Sequence, residues 1–133
     1  MIMRERILVV DDNEYTADSF ARLLSMFGGE ATAVYSGQQA VEQAGAIRPD
    51  MALIDIGMPD MDGYEAAVRI RERCGNAPII LVAVTGWARD EEKRHARECG
   101  FDLHVAKPVD LATLKQLLAL LNHSSANAEP AAS

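Results

Sequence analysis

The chain has no excess of positive charge: 13 Lys and Arg stand against 20 Asp and Glu, a net of -7 over 133 residues. Binding to a phosphate backbone rests on clustered cations, so this balance argues against a nucleic-acid surface, although one basic pocket is still possible. Cysteine is scarce. Cys74 and Cys99 lack metal-ligand spacing, and two unstapled thiols suit a reducing compartment, so a cytoplasmic location is expected. No apolar run reaches membrane-spanning length, and residues 1–6 carry no secretory apolar core, so no membrane contact is expected. The sequence also has no internal repeat and no G-x-G-x-x-G after its first apolar run, which disfavours a dinucleotide-binding sheet.

What is present is an ordinary globular balance, 49% hydrophobic and 25% charged, at the length of one domain. Ile7 to Val10 reads as a strand buried on both faces and runs straight into Asp11-Asp12-Asn13. From Glu14 a helical stripe follows, with Ala17, Phe20, Leu23, Leu24 and Phe27, and Gly28-Gly29 ends it. Glu30 to Tyr35 is a weaker strand suited to an edge. Ser36 with Gln39 fits a capping box for a helix whose inner residues are Ala40, Val41 and Ala44. Met51 to Ile54 is a second apolar run, ending in one carboxylate, Asp55, and then in turn formers up to Gly63, a glycine expected to need positive φ. Ala66, Ala67 and Ile70 mark a third helix, Ile79 to Thr85 an interior strand, and Asp90 the expected cap of a polar helix that Gly100 stops. Phe101 to Ala106 reads as a fifth strand before Lys107-Pro108. Asp110 caps a last helix with Leu111, Leu114, Leu117, Leu118 and Leu121 on one face. Strand alternates with helix throughout, which implies an α/β fold: a flavodoxin-like doubly wound (βα)5 three-layer sandwich with parallel sheet order 2-1-3-4-5. The expected domain is 1–122, with residues 123–133, rich in Ala and Ser, as a flexible tail.

In that order the ends of the first, third, fourth and fifth strands share one rim, where Asp11, Asp12, Asp55, Thr85 and Lys107 converge. Each alone has a plain reading: helix caps, a β-branched strand residue, a solvated lysine. Together they place three carboxylates where they repel each other unless a cation intervenes. Lys107 is one such cation, and a hard divalent ion is the other. A shallow rim with few protein ligands suits Mg2+, which keeps water and shares its shell with phosphate oxygens. A phosphoryl group then fits beside it, neutralised by Lys107 and hydrogen-bonded by Thr85.

The same residues resemble the receiver domain of bacterial two-component response regulators, and Met58-Pro59-Asp60-Met61-Asp62-Gly63 resembles that family's loop after its phosphorylated aspartate. The resemblance implies a phosphorelay component. Asp55 is then the phosphoacceptor, taking its phosphoryl group from a phosphohistidine of a sensor histidine kinase or histidine phosphotransfer domain. Asp12 and Asp55 bind Mg2+, Asp11 acts mostly through water, and the Gly57 backbone carbonyl is a further ligand. Thr85 is implied as the switch hydroxyl and Lys107 as the partner of Asp55 before phosphorylation and of a phosphoryl oxygen after it. The Lys107-Pro108 bond is implied to be cis. The fourth helix, fifth strand and fifth helix are implied to form the face for an unidentified downstream protein, and a homodimer is possible. Catalysis extends only to the domain's own phosphorylation and dephosphorylation.

Two positions depart from the commonest pattern of that family. His104 stands where Tyr or Phe usually couples to the switch threonine, and Trp87 is a bulky flank to the site, two residues past Thr85. Gly57 offers no side chain to an attacking water. A receiver-fold binding module that works unphosphorylated and an Mg2+-dependent aspartyl phosphohydrolase are the alternatives. The second lacks a general acid, because Gly57 occupies the place where one is usual. A stand-alone regulator and the receiver of a hybrid kinase both fit the chain.

Overall fold

The computed structural model describes residues 4–86 and 89–127, with side chains to Leu121. Trp87 and the last residues of the expected tail therefore lie outside the described residues. The order is β1 Arg6–Val10, α1 Glu14–Met26, β2 Glu30–Val34, α2 Gly37–Ile47, β3 Met51–Asp55, α3 Gly63–Cys74, β4 Ile80–Thr85, α4 Asp90–Glu98, β5 Leu103–Ala106 and α5 Leu111–Asn127. The five strands form one parallel sheet in the order β2-β1-β3-β4-β5, as the alternation implies, with β2 at an edge. Successive residues of the interior strands face opposite layers. Leu8, Val10, Ala52, Ile54, Leu81 and Ala83 pack under α2, α3 and α4. Ile7, Val9, Met51, Leu53, Val82 and Val84 pack under α1 and α5. All of β3 is buried, and Asp55 is its one charged residue.

Local signals and structure differ at several element ends. Asn13, not either preceding aspartate, caps α1 by accepting from the Thr16 amide. Ser36 accepts from the Gln39 amide as a capping box requires, but the Gln39 side chain accepts from the Tyr35 amide, one residue before the cap. The α4 cap is Arg89, whose side chain makes no capping hydrogen bond, and Asp90 is the first helical residue, where its charge still favours the helix dipole. β5 begins at Leu103, because Phe101 turns into the core beneath α3 and α4. α5 runs to Asn127, beyond the last leucine of its stripe. Asp110 caps it as expected.

The end of the sheet opposite the carboxylate rim is closed by Arg71, in the last turn of α3. Its guanidinium donates to the carbonyls of Ile79 (2.8 Å) and Gly100 (2.8 and 3.2 Å) and pairs with Asp102 at 2.8 Å. Asp102 in turn accepts from the Leu81 amide at 2.9 Å. A fork of fixed geometry thus ties the end of α3 to the two loops that lead into β4 and β5, which a lysine could not do. Arg71→Ala should therefore cost roughly 1–3 kcal/mol in urea denaturation, and Arg71→Lys most of the same. Arg69→Ala, which loses only an exposed pair with Glu65 on the same helix, should stay within about 0.5 kcal/mol.

Candidate functional site

The sheet register carries the polar residues to the rim like steps. β1 and β3 are aligned up to Val10 opposite Ile54, so Asp11 and Asp55 come next on neighbouring strands. Asp55 lies opposite Val84, and Thr85 lies opposite Ala106, so each strand toward β5 delivers its polar group one residue further along. The chain is pinned where it leaves the sheet: the Ile56 amide donates to the Val84 carbonyl, the Lys107 amide to the Thr85 carbonyl and the Asp11 amide to the Val34 carbonyl. The Lys107-Pro108 peptide is cis. Lys107 Nζ stands 2.9 Å from Asp55 Oδ1, and the Gly57 amide donates to the same oxygen at 3.2 Å. Asp55 is 5% exposed and Asp11 7%, values that mark carboxylates needing compensation.

Asp11, Asp12 and Asp55 each bring a carboxylate oxygen within 4.8 Å of the others, with Asp12 open to solvent. A hard cation takes oxygen ligands at about 2.0–2.6 Å, so a small inward shift would let one ion reach this cluster, directly or through water. The donor set is all oxygen and carries net negative charge even after Lys107 is counted, which fits a divalent ion of the Mg2+ type. Burial pushes the Asp11 carboxyl above its ordinary range. The neighbouring Asp55 and Asp12 charges push the same way, against the Asn13 amide and Lys107. Because Asn13 supplies the α1 cap, Asp11 and Asp12 are released from that plain role. The Asp11 oxygen is held by the Asn13 amide at 2.9 Å.

Gly63 is required for a reason other than positive φ, which it does not have. A Cβ there would lie 2.7 Å from both the Asp55 carbonyl oxygen and the Ile56 Cα. The start of α3 is therefore pressed against the backbone that carries Asp55, and the Gly63 amide donates to the Ile56 carbonyl at 3.1 Å. The left-handed residue of this loop is Asp60, at φ 64°, a conformation that Asp tolerates better than most residues. No such crowding exists at Gly57, where a Cβ would meet only the Asp55 carboxylate oxygen, at 3.9 Å.

His104 and Thr85 line a common small cavity with Tyr64, a residue that no sequence signal connects with the rim. Tyr64 follows Gly63 directly. Its ring lies 4.3 Å from that of His95 on α4 and 6.4 Å from that of Phe101. Among the described site residues, the structure brings together Asp11, Asp12, Asp55, Gly57 and Lys107; the register sets Thr85 at the adjoining strand end, and His104 lines a cavity with it.

A carboxyl whose pKa is raised by folding costs stability once it is ionised, and regains it as pH falls toward the unfolded value. Metal-free protein should therefore lose stability as pH rises through the window just above 3.8, the ordinary Asp value. Asp11→Asn should flatten that loss and raise the melting temperature at neutral pH, read by thermal unfolding in chelator.

The response regulator receiver domain model matches residues 7–119. An uncharacterised 14.6 kDa protein of Leptolyngbya boryana is 33% identical over 112 residues, covering 84% of this chain and 86% of its own length. Sensor histidine kinase RcsC of Salmonella typhimurium is 38% identical over 114 residues, 86% of this chain but 12% of that protein. Among solved structures, the receiver domain protein of Methanospirillum hungatei superposes with a TM-score of 0.77 at 28% identity, covering 92% of this chain and 94% of that one. Chemotaxis protein CheY4 of Vibrio cholerae shares the fold with a TM-score of 0.84 at 24% identity, covering 89% of this chain and 98% of its own. With the aspartate–lysine rim at the ends of a 2-1-3-4-5 sheet and a family match over nearly all of the described residues, this chain belongs to the response regulator receiver domains, a family of signalling domains.

Proposed function

We propose that Asp55 accepts a phosphoryl group from a phosphohistidine of a sensor histidine kinase or histidine phosphotransfer domain, in a cytoplasmic phosphorelay. The observation that carries this reading is the pair of Asp55 Oδ1 with Lys107 Nζ at 2.9 Å, set among three carboxylates at the end of a buried strand. An isolated cluster of that kind has no structural use that a neutral pair would not serve better.

In the transfer, an Asp55 carboxylate oxygen attacks phosphorus, the P–N bond to the donor imidazole breaks, and the electron pair leaves with the histidine. The product is an acyl phosphate on Asp55. Such transfers pass through a loose transition state, so the residues have to position and neutralise more than they have to push electrons. Asp12 and Asp55, with Asp11 through water and the Gly57 carbonyl, would hold Mg2+, and the ion when bound neutralises phosphoryl oxygens. Lys107 exchanges the Asp55 carboxylate for a phosphoryl oxygen, keeping a cation against the growing charge. The Thr85 hydroxyl moves toward a second oxygen and donates to it. That movement takes Thr85 away from the α4 side of the sheet and so alters the face formed by α4, β5 and α5. An apolar groove along Val105, Thr113, Leu117 and Leu120, with Leu111 and Leu120 exposed, supports this face as the site for a downstream protein.

Sensor histidine kinases appear among the relatives as much longer proteins, of which this chain spans 12% or less. Their kinase activity is not carried over; the likeness supports only the role of recipient.

Incubated with acetyl phosphate and Mg2+, the protein should gain one phosphoryl group, read by intact mass, and lose it on base treatment as acyl phosphates do. Asp55→Asn and excess chelator should each abolish the gain. Equal labelling of Asp55→Asn would move the acceptor elsewhere and defeat the reading.

A further inference from the structure

His104 sits on β5, an edge strand, opposite Ala83. Ala83 belongs to the layer under α2, α3 and α4, and Thr85 is two residues on, so Thr85 and His104 share that face. Between them lies a cavity of about 10 Å³, bounded by Ile56, Tyr64, Ala83, Thr85, Ala96 and His104. Two alanines are among its lining residues, and its volume is room for about one water and far less than an imidazole. Withdrawal of Thr85 toward Asp55 is the event that would enlarge it.

The charged surroundings of His104 come from one element. α4 turns Lys93 and Arg97 toward it and also contributes Glu92 to the cavity wall. α3 presents the Tyr64 phenol, β4 presents Ala83 and Thr85 without charge, and among the described residues no strand lies on the other side of β5. The cavity walls are otherwise apolar.

Resting on the phosphoacceptor reading of Asp55, we propose that His104 is a proton-sensitive positioning residue of the switch: its neutral imidazole follows Thr85 inward, and its protonated form stays outside and holds the domain at rest. Partial burial, then the Lys93 and Arg97 charges, set its pKa below the ordinary 6.5, so the imidazole is mainly neutral at pH 7. An imidazolium would be drawn by the phosphoryl anion, but Lys107 and the divalent ion of the phosphoacceptor reading lie against that anion and weaken the pull. Inward movement would also strip the imidazolium's water against Ile56, Ala83 and Ala96, and Lys93 in the same wall opposes the attraction of Glu92. Desolvation therefore decides the sign, and acidification should oppose activation.

The test is the affinity for beryllofluoride with Mg2+, measured calorimetrically at about pH 7.5 and about pH 5.5, in wild type and His104→Phe. The imidazole titration of His104 is followed by NMR in the wild type. From the higher to the lower pH, wild type should weaken roughly three- to tenfold more than His104→Phe. By reciprocity, the His104 pKa should fall when beryllofluoride binds. The NMR arm needs no variant and so stands if His104→Phe folds poorly. Parallel pH profiles, or a His104 pKa that is unchanged or raised on binding, would overturn the inference while leaving Asp55 as acceptor. Absence of binding at both pH values in both proteins would instead remove the acceptor reading, and this inference with it.

Discussion

The ion pair between Asp55 and Lys107 is the contact on which the rest of the rim depends. A carboxylate at 5% exposure beside two others is an unfavourable arrangement in water and worse at the end of a central strand shielded from it. Lys107 makes it tolerable in the resting molecule. It remains about two-fifths exposed, so solvent weakens the pair and keeps the lysine free to change partners. A fully buried pair would be a fixture, and a fully exposed one would not organise the site. Intermediate burial leaves the carboxylate compensated and available.

The fold supplies two sides of different firmness around that pair. β1 and β3 are buried to within 2% exposure at every apolar position, and Gly63 lets α3 press directly on the backbone beside Asp55. The α4 side is lighter. α4 buries one residue, Ala96, and meets α3 through the Tyr64–His95 ring contact. Local stability follows buried apolar contact, so displacement from the site should be felt first on this side. The Arg71 fork clamps the opposite end of β4 and β5, which confines any shift to the rim.

Much of this was legible in the sequence because it follows from short-range patterns. Continuous apolar runs ending in Asp or Thr locate buried strands and their polar ends, and strand–helix alternation restricts the topology to few choices. From there the convergence of Asp11, Asp12, Asp55, Thr85 and Lys107 is geometry. What the sequence concealed depends on three-dimensional proximity or on competition between equivalent groups. Asn13 and two aspartates are all good caps, and only the backbone path selects Asn13. Arg89 precedes α4 where Asp90 looked the better cap, since nothing local fixes the first helical residue. Gly63 looks like a turn glycine, yet its constraint is the Asp55 backbone on another element. Arg71 is one of many arginines on helix surfaces, and its carbonyl partners are 8 and 29 residues away.

The most direct measurement of the central claim is a crystal structure of the protein with Mg2+ and beryllofluoride. The account predicts beryllium on an Asp55 oxygen, the Lys107 ammonium moved from Asp55 Oδ1 onto a fluoride, and the Thr85 hydroxyl on another. A structure with the Asp55–Lys107 pair intact and beryllofluoride bound elsewhere would contradict it.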